Sequence, residues 1–359
     1  MRATILQSLA VGLLLLCIST GAFAGGSLNP TDYLDRPRVL AFIRRFTAED
    51  MKDWIVSTID RGSFFHEHIM GRIQEYELPS ALAFLPAIES GYDPRAMSPS
   101  GAAGLWQFMM NSIGGYDMLV DDWVDERNDF WKATSASLRK LAYNQEQLGD
   151  WLLAIGAYNC GLNRMKQAIK ESGSSDFWTL AEGGYLPRET ASYVPKFLAI
   201  AYIAGHTEDY GLQLRSSNRW RWRRVLVTRQ INIRLLAEAS SVPEDILLLG
   251  NAELRYDVTP PPDQPSGLRY HLKVPDIYTD VIERVLRGDA LALNRYHVHT
   301  ITSGDTLYAL SRDFGVSVDL IMHHNPGIKP RYLQIDSAIL IPAIRDVPRP
   351  GAQNTGNRW

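Results

Sequence analysis

The chain reads as mainly α-helical, with two small α+β units of βααβ type towards its C-terminal end. Three observations lead there. Apolar residues recur at spacings of three and four across residues 39–203, with little that alternates like a strand. Beyond Gly211 the character changes, and short β-prone runs rich in Val, Ile and Tyr begin. That region also repeats itself. At a constant offset of 74 residues, Val227, Thr228, Ile233, Leu236, Val242, Asp245, Ile246 and Asn251 fall on Ile301, Thr302, Leu307, Leu310, Val316, Asp319, Leu320 and Asn325.

The first 24 residues read as a cleavable signal peptide. Arg2 supplies the positive start, Leu9 to Ile18 the apolar stretch, and Ala22-Phe23-Ala24 a small-x-small cleavage motif. The stretch is too short to span a bilayer comfortably, and no later segment is suited to span one. Cys17 raises a lipoprotein alternative, disfavoured because Leu16 stands where processing requires a small residue. Export to a bacterial periplasm is expected. With Cys17 removed, Cys160 is the one remaining cysteine, so no intrachain disulfide is expected.

Residues 25–75 form an N-terminal helical extension, in which Val39, Phe42, Ile43 and Phe46 share one helical face and Trp54, Ile55 and Ile59 another. The helical domain spans 76–210. Pro79 suits a helix start, Pro86 should kink the helix or tighten its last turn, and Gly91 with Pro94 stops it. A Ser-, Pro- and Gly-rich loop follows from Tyr92 to Gly104, and helices resume over Thr134–Leu148, Leu148–Tyr158 and Thr190–Ile203. The first βααβ unit covers 223–276, opening at Val225–Thr228 and closing at Tyr270–Pro275, with a Pro-rich insertion at Pro260–Pro265. A connecting helix is expected over 277–294, the second unit over 296–343, and an unstructured tail over 344–359.

Several chemistries are set aside. Net charge is −3 with no long Lys/Arg run, which disfavours nucleic acid as a partner. His323 and His324 are adjacent and point apart, with no acidic or Cys cluster at ligand spacing, so they read as a surface pair and no metal or cofactor is expected. There is no Gly-rich phosphate loop and no G-x-S-x-G elbow. One acid is placed differently. Glu89 ends the apolar segment Ala81-Leu-Ala-Phe-Leu-Pro-Ala-Ile88, and apolar walls would keep its carboxyl protonated near neutrality, as a general acid requires. Position alone leaves open a helix-end glutamate that faces water.

Leu78-Pro-Ser-Ala-Leu-Ala-Phe-Leu-Pro-Ala-Ile-Glu-Ser90, Gly104-Leu-Trp-Gln-Phe-Met109, Ala157-Tyr-Asn159 and Tyr193-Val-Pro-Lys196 follow one another in order. Together they resemble the motifs of family 1 lytic transglycosylases, most closely the membrane-bound murein transglycosylase D type. The resemblance covers roughly residues 35–205. Gly304-Asp-Thr-Leu307 through Asn325-Pro326 to Leu340-Ile-Pro342 resembles a LysM module. The resemblance implies a lysozyme-like helical catalytic domain acting on peptidoglycan, followed by a degenerate LysM-like module and a LysM module that binds N-acetylglucosamine chains.

By the same resemblance Glu89 is the catalytic acid and then base, oriented by Ser90. Gln107 and Met109 line the sugar cleft, Tyr158 reaches the cleavage subsite, Asn159 holds the adjoining loop, and Tyr193 bonds near Glu89. Each has a plainer alternative: Gln107 and Asn159 as turn-stabilising amides, Met109 as core filler, both tyrosines as core residues. The reaction implied cuts the N-acetylmuramic acid–N-acetylglucosamine bond with closure of a 1,6-anhydro ring, which needs one carboxyl rather than two. Asp125 and Glu126, the nearest candidates for a second carboxylate, read better beside Arg127 as an ion-paired turn. The alternatives are a hydrolytic muramidase or a non-catalytic wall-binding scaffold.

The sequence departs from these patterns in places. Met110-Asn-Ser-Ile-Gly-Gly115 replaces the usual Pro-x-Thr-Gly helix start, Gln230-Ile-Asn232 stands where the second unit has Gly304-Asp-Thr306, and Asp336 occupies a turn position where glycine is common.

Overall fold

The computed structural model describes residues 27–215, 220–262, 269–288 and 295–343. The expected signal segment with Cys17, the end of the Pro-rich insertion, the last part of the connecting helix and the tail lie outside the described residues.

Two helices open the chain, α1 (Pro37–Phe46) and α2 (Lys52–Glu75), burying Val39, Ile43 and Phe46, then Ile55, Phe65, Ile69 and Ile73. A 3₁₀ turn, Ser80–Phe84, leads into the single-turn helix α3 (Leu85–Glu89). Pro86 therefore neither kinks a helix nor tightens its end. It lies in the first turn of α3, where its missing N–H leaves no carbonyl unpaired.

The next helix is α4 (Phe130–Leu148), capped by Asp129, whose Oδ1 accepts from the amides of Trp131 (2.8 Å) and Lys132 (3.2 Å). Gly149 adopts φ 72° and ends it. Asp150 then caps α5 (Trp151–Cys160), which is buried on nearly every side, followed by α6 (Leu162–Ser172) and α7 (Phe177–Glu182). The last of this group, α8 (Arg188–Gly205), contains Pro195, which cannot donate to the carbonyl four residues earlier. That carbonyl, Ala191 O, instead accepts from Arg38 of α1 at 3.3 Å. A single core links Leu28 and the α1 and α2 residues with α3 to α8 and with Trp222.

Each C-terminal unit is a two-stranded antiparallel sheet around a helix pair. The first comprises β1 (Trp222–Leu226), α9 (Ile233–Ser240), α10 (Glu244–Gly250) and β2 (His271–Pro275), with Trp222 opposite Pro275. Its opening strand starts three residues earlier than the β-prone run, because Trp222 and Val225 are the positions it buries. A 3₁₀ turn at Asp276–Tyr278 and helix α11 (Thr279–Arg287) follow, ending at Gly288. The second unit comprises β3 (Arg295–Thr300), α12 (Leu307–Phe314), α13 (Val318–His324) and β4 (Ala338–Ala343), with Tyr296 opposite Pro342.

The internal repeat is visible atom by atom. Asn251 Nδ2 donates to Leu247 O (2.8 Å) and Lys273 O (2.9 Å), while its Oδ1 accepts from Lys273 N (2.9 Å). Asn325 makes the same three bonds, to Ile321 O (2.7 Å) and Leu340 O (2.6 Å) and from Leu340 N (2.8 Å). Asp336 adopts φ 65°, the left-handed conformation that explains why glycine suits that turn. The expected surface pair His323 and His324 is split. His323 is exposed, but His324 is buried against Tyr296, whose hydroxyl lies 3.3 Å from its Nδ1, and burial lowers its pKa. No described helix is long and apolar enough to cross a membrane.

Candidate active site

Glu89 ends α3, where the wall of Leu82, Leu85 and Ala87 gives way to the loop after Gly91. The residue is half-buried, and its carboxyl is the enclosed part: burial raises its pKa from 4.5 to about 7. Three charged or titratable groups from two helices act on it. Tyr193 on α8 hydrogen-bonds Glu89 Oε1, and the Lys140 ammonium on α4 adds a positive field; both lower the pKa, against burial. Glu189, at the start of α8, raises it by like charge. Burial, and after it the same carboxylate, holds the Tyr158 phenol on α5 well above the usual range.

Of the expected residues, Tyr193 bonds this acid, Tyr158 lies within its field and Ser90 follows it in the chain. Ser90 donates from Oγ to Leu105 O at 2.9 Å and from its amide to Pro86 O at 3.0 Å, tying the end of α3 to the facing loop. That loop is a tight hairpin: Ala103 and Phe108 exchange both backbone hydrogen bonds at 3.0 Å. Gly104, at φ 81°, turns it, and any Cβ there would overlap the carbonyl of Arg127. Gln107 adopts φ 51°, and its Nε2 donates to Gly104 O (2.9 Å) and Ala96 O (3.3 Å). Its donor thus braces the loop, and its Oε1 takes no part in those bonds. Met109 stands 38% exposed at the rim instead of filling the core.

Tyr158 is buried, and its hydroxyl donates to Trp106 O at 2.8 Å and lies 3.0 Å from Ser137 Oγ. Lys140 places its ammonium 4.2 Å from the centre of the Tyr158 ring and 5.9 Å from that of Phe108. Asn159 joins two helices: Nδ2 donates to Glu189 Oε1 at 3.1 Å and Oδ1 accepts from Thr190 Oγ1 at 2.7 Å. Asp125 and Glu126 are both engaged elsewhere. Asp125 forms a forked pair with Arg127 (2.9 and 2.6 Å), and Glu126 pairs with Lys132 at 2.6 Å.

The sequence reading missed Lys140 and Glu189. For Lys140 a signal existed, since it shares the buried α4 stripe of Ala133, Ser137 and Asn144 at three- and four-residue spacing. For Glu189 none did, because its effect depends on where α8 begins relative to α3. Among the described residues no group of three His, Cys, Asp or Glu could hold a metal ion.

The helical domain holds one enclosed carboxyl bonded by the Tyr193 phenol and within the field of a second phenol, Tyr158, and βααβ units follow it. Residues 69–181 match the Transglycosylase SLT domain and residues 299–342 the LysM domain. The chain thus carries a helical SLT domain with a LysM domain C-terminal to it. It is 31% identical over 272 residues to "Membrane-bound lytic murein transglycosylase D" of Escherichia coli K12, covering 72% of this chain and 59% of that protein. It is also 34% identical over 103 residues to "Putative tributyltin chloride resistance protein" of Alteromonas sp. M-1, covering 28% of this chain and 50% of that protein. Over 44 residues it is 43% identical to "Secreted LysM effector ELP2" of Colletotrichum higginsianum, which is 12% of this chain and 25% of that one. The chain spans about three fifths of the length of the E. coli relative.

Proposed function

We propose that the chain is an exported, periplasmic lytic transglycosylase of peptidoglycan. In this reading residues 76–210 cut the β-1,4 bond between N-acetylmuramic acid and N-acetylglucosamine, and the LysM module at 296–343 holds the strand. The observation that carries it is the enclosed Glu89 carboxyl with a pKa of about 7. At neutral pH such a group is divided between its two forms, so one side chain can serve as acid and then as base.

In the first step Glu89 donates its proton to the glycosidic oxygen, and the bond from C1 of N-acetylmuramic acid to that oxygen breaks. The acetamido oxygen of the same sugar bonds C1 and takes up the developing positive charge. In the second step the Glu89 carboxylate removes the proton of the C6 hydroxyl, O6 bonds C1, and the acetamido oxygen leaves. The 1,6-anhydro ring closes, no water is consumed, and Glu89 ends protonated as it began. Tyr193 aims the carboxyl, Ser90 fixes the turn that carries it, and Gln107 Oε1 and the Met109 rim face the sugar. Tyr158 and Asn159 hold the loop and α8 in register.

One observation favours a second reading, a hydrolytic muramidase. Glu189 puts a second carboxylate in electrostatic reach of Glu89, and such a group could activate water. We place it second because Glu189 is exposed and engaged by Asn159. The direct test of the first reading is Glu89→Gln, which keeps shape and burial and cannot give a proton. Sacculus binding should survive and muropeptide release should fall by at least about 10³-fold, at the scale of a lost general acid. Turnover comparable to wild type would reject the assignment.

A further inference from the structure

The two C-terminal repeats present one face to whatever precedes them. In the first repeat that face carries Trp222 and Lys273. Trp222 enters the catalytic core beside Phe130 (ring centroids 5.4 Å apart), and its indole N–H donates to Phe64 O at 2.6 Å. Lys273 is buried, bonding Asp129 at 2.9 Å and pairing with Glu253, whose carboxylate Tyr270 also bonds. In the second repeat the equivalent residues are Tyr296, by the 74-residue offset, and Leu340, by the shared asparagine bracket. These two pack on Val258 of the first repeat, and Tyr296 N donates to Gln230 Oε1 at 3.0 Å. The same joint is therefore made twice in series.

The loops between these strands and helices differ between the repeats. In the second, Thr302 to Thr306 is largely exposed, and Tyr332 stands 77% exposed beside a groove lined by Asn325, Gly327, Lys329, Leu333 and Ile339. In the first, Ile231 replaces Asp305 and is buried, and Val258, seven residues after its asparagine as Tyr332 is after Asn325, is 0% exposed. The two loops are zipped together. Thr259 N donates to Ile231 O (2.9 Å), Ile231 N to Thr259 Oγ1 (2.8 Å), and Ile233 N to Asp257 O (2.9 Å). The zipped edge is then covered by Tyr296.

We infer that the first repeat is a rigid adaptor that has exchanged a sugar groove for two protein interfaces, one to the catalytic domain and one to the terminal LysM module. Its charged joint is specific, because Lys273 reaches the cap of α4, the helix that carries Lys140 and Ser137 into the active site. The arm ends in the open groove of the terminal repeat, and wall binding is assigned to that groove, at a set distance from Glu89. The assignment of sugar binding to that groove rests on the reading proposed above; the adaptor does not.

Hydrogen exchange on the full chain tests the adaptor without any substitution. Amides 231, 233 and 259, the three that bond across the zip, should exchange only when the catalytic core opens, at least about 100-fold more slowly than amides 305–307 and 331–333. Exchange of both sets at similar rates would overturn the adaptor. In parallel, the Glu89→Gln chain is titrated with a tetramer of N-acetylglucosamine and followed by amide NMR. Perturbations at 325–339 and around Glu89, with none at 231–259, support the assignment, and a saturable shift within 231–259 overturns it. A titration that moves no amide of 325–339 defeats the sugar-binding reading of the module, while the exchange rates still decide the adaptor.

Discussion

Glu89 is an acid whose environment works in two directions. Burial raises its pKa to about 7, while Tyr193 and Lys140 restrain the rise. If the protonated form starts the reaction, kcat/KM should fall about tenfold per pH unit above that value. Lys140→Met removes a cation that favours the carboxylate, so the alkaline limb should move to higher pH, and Lys140→Arg should move it back. A pH–rate profile that keeps its limb in Lys140→Met would show the ammonium to be merely structural. Stability carries the same sign. A carboxyl raised from 4.5 to about 7 contributes fully below pH 4.5, and that contribution is lost as pH rises through 7. Glu89→Gln should therefore match wild type in urea unfolding at pH 4 and exceed it at pH 8 by about 3 kcal/mol. In the sequence Glu89 was legible as an acid at the end of an apolar segment. Its partners were not, since Tyr193 lies 104 residues away and Lys140 approaches on a different helix.

The elements that hold these groups are short and tightly constrained. The single turn of α3 and the hairpin around Gly104 owe their shape to backbone conformations that ordinary residues resist, including Tyr92 at φ 59° and Gln107 at φ 51°. Gly104→Ala would set a methyl group against the Arg127 carbonyl in a left-handed conformation. It should cost at least about 2 kcal/mol and lower activity with it, read as a fall in thermal midpoint beside a fall in kcat/KM. Helices were the most legible feature, because α1, α2, α4 and α8 bury three- and four-spaced stripes. Pro86 and His324 were misjudged for one reason. Whether a proline starts a turn or bends one, and whether a histidine faces water, depends on packing partners remote in the chain.

Across the whole molecule the joints between units are polar and buried as well as apolar. Lys273 lies between Asp129 and Glu253 with almost no exposure. Lys273→Met would leave two carboxyls facing each other without a cation, a loss of about 3–5 kcal/mol. The thermal midpoint at pH 7 should fall sharply, and the added change Glu253→Gln should recover part of it. An unchanged midpoint would mean that the joint does not hold the catalytic domain. The repeat itself was legible at its 74-residue offset, down to the asparagine bracket. A strand lysine that plugs into another domain carries no such signature, because nothing local distinguishes it from a solvated one.

The proposed reaction takes the proton of its second step from the sugar's own C6 hydroxyl. Mass spectrometry of muropeptides released from sacculi by the wild-type chain measures that directly. Ring closure by the C6 hydroxyl gives N-acetylmuramic acid ends one water lighter than reducing ends, and these should be the products that disappear with Glu89→Gln. Reducing ends as the sole product would mean that water attacks instead, and the single-carboxyl account would be wrong.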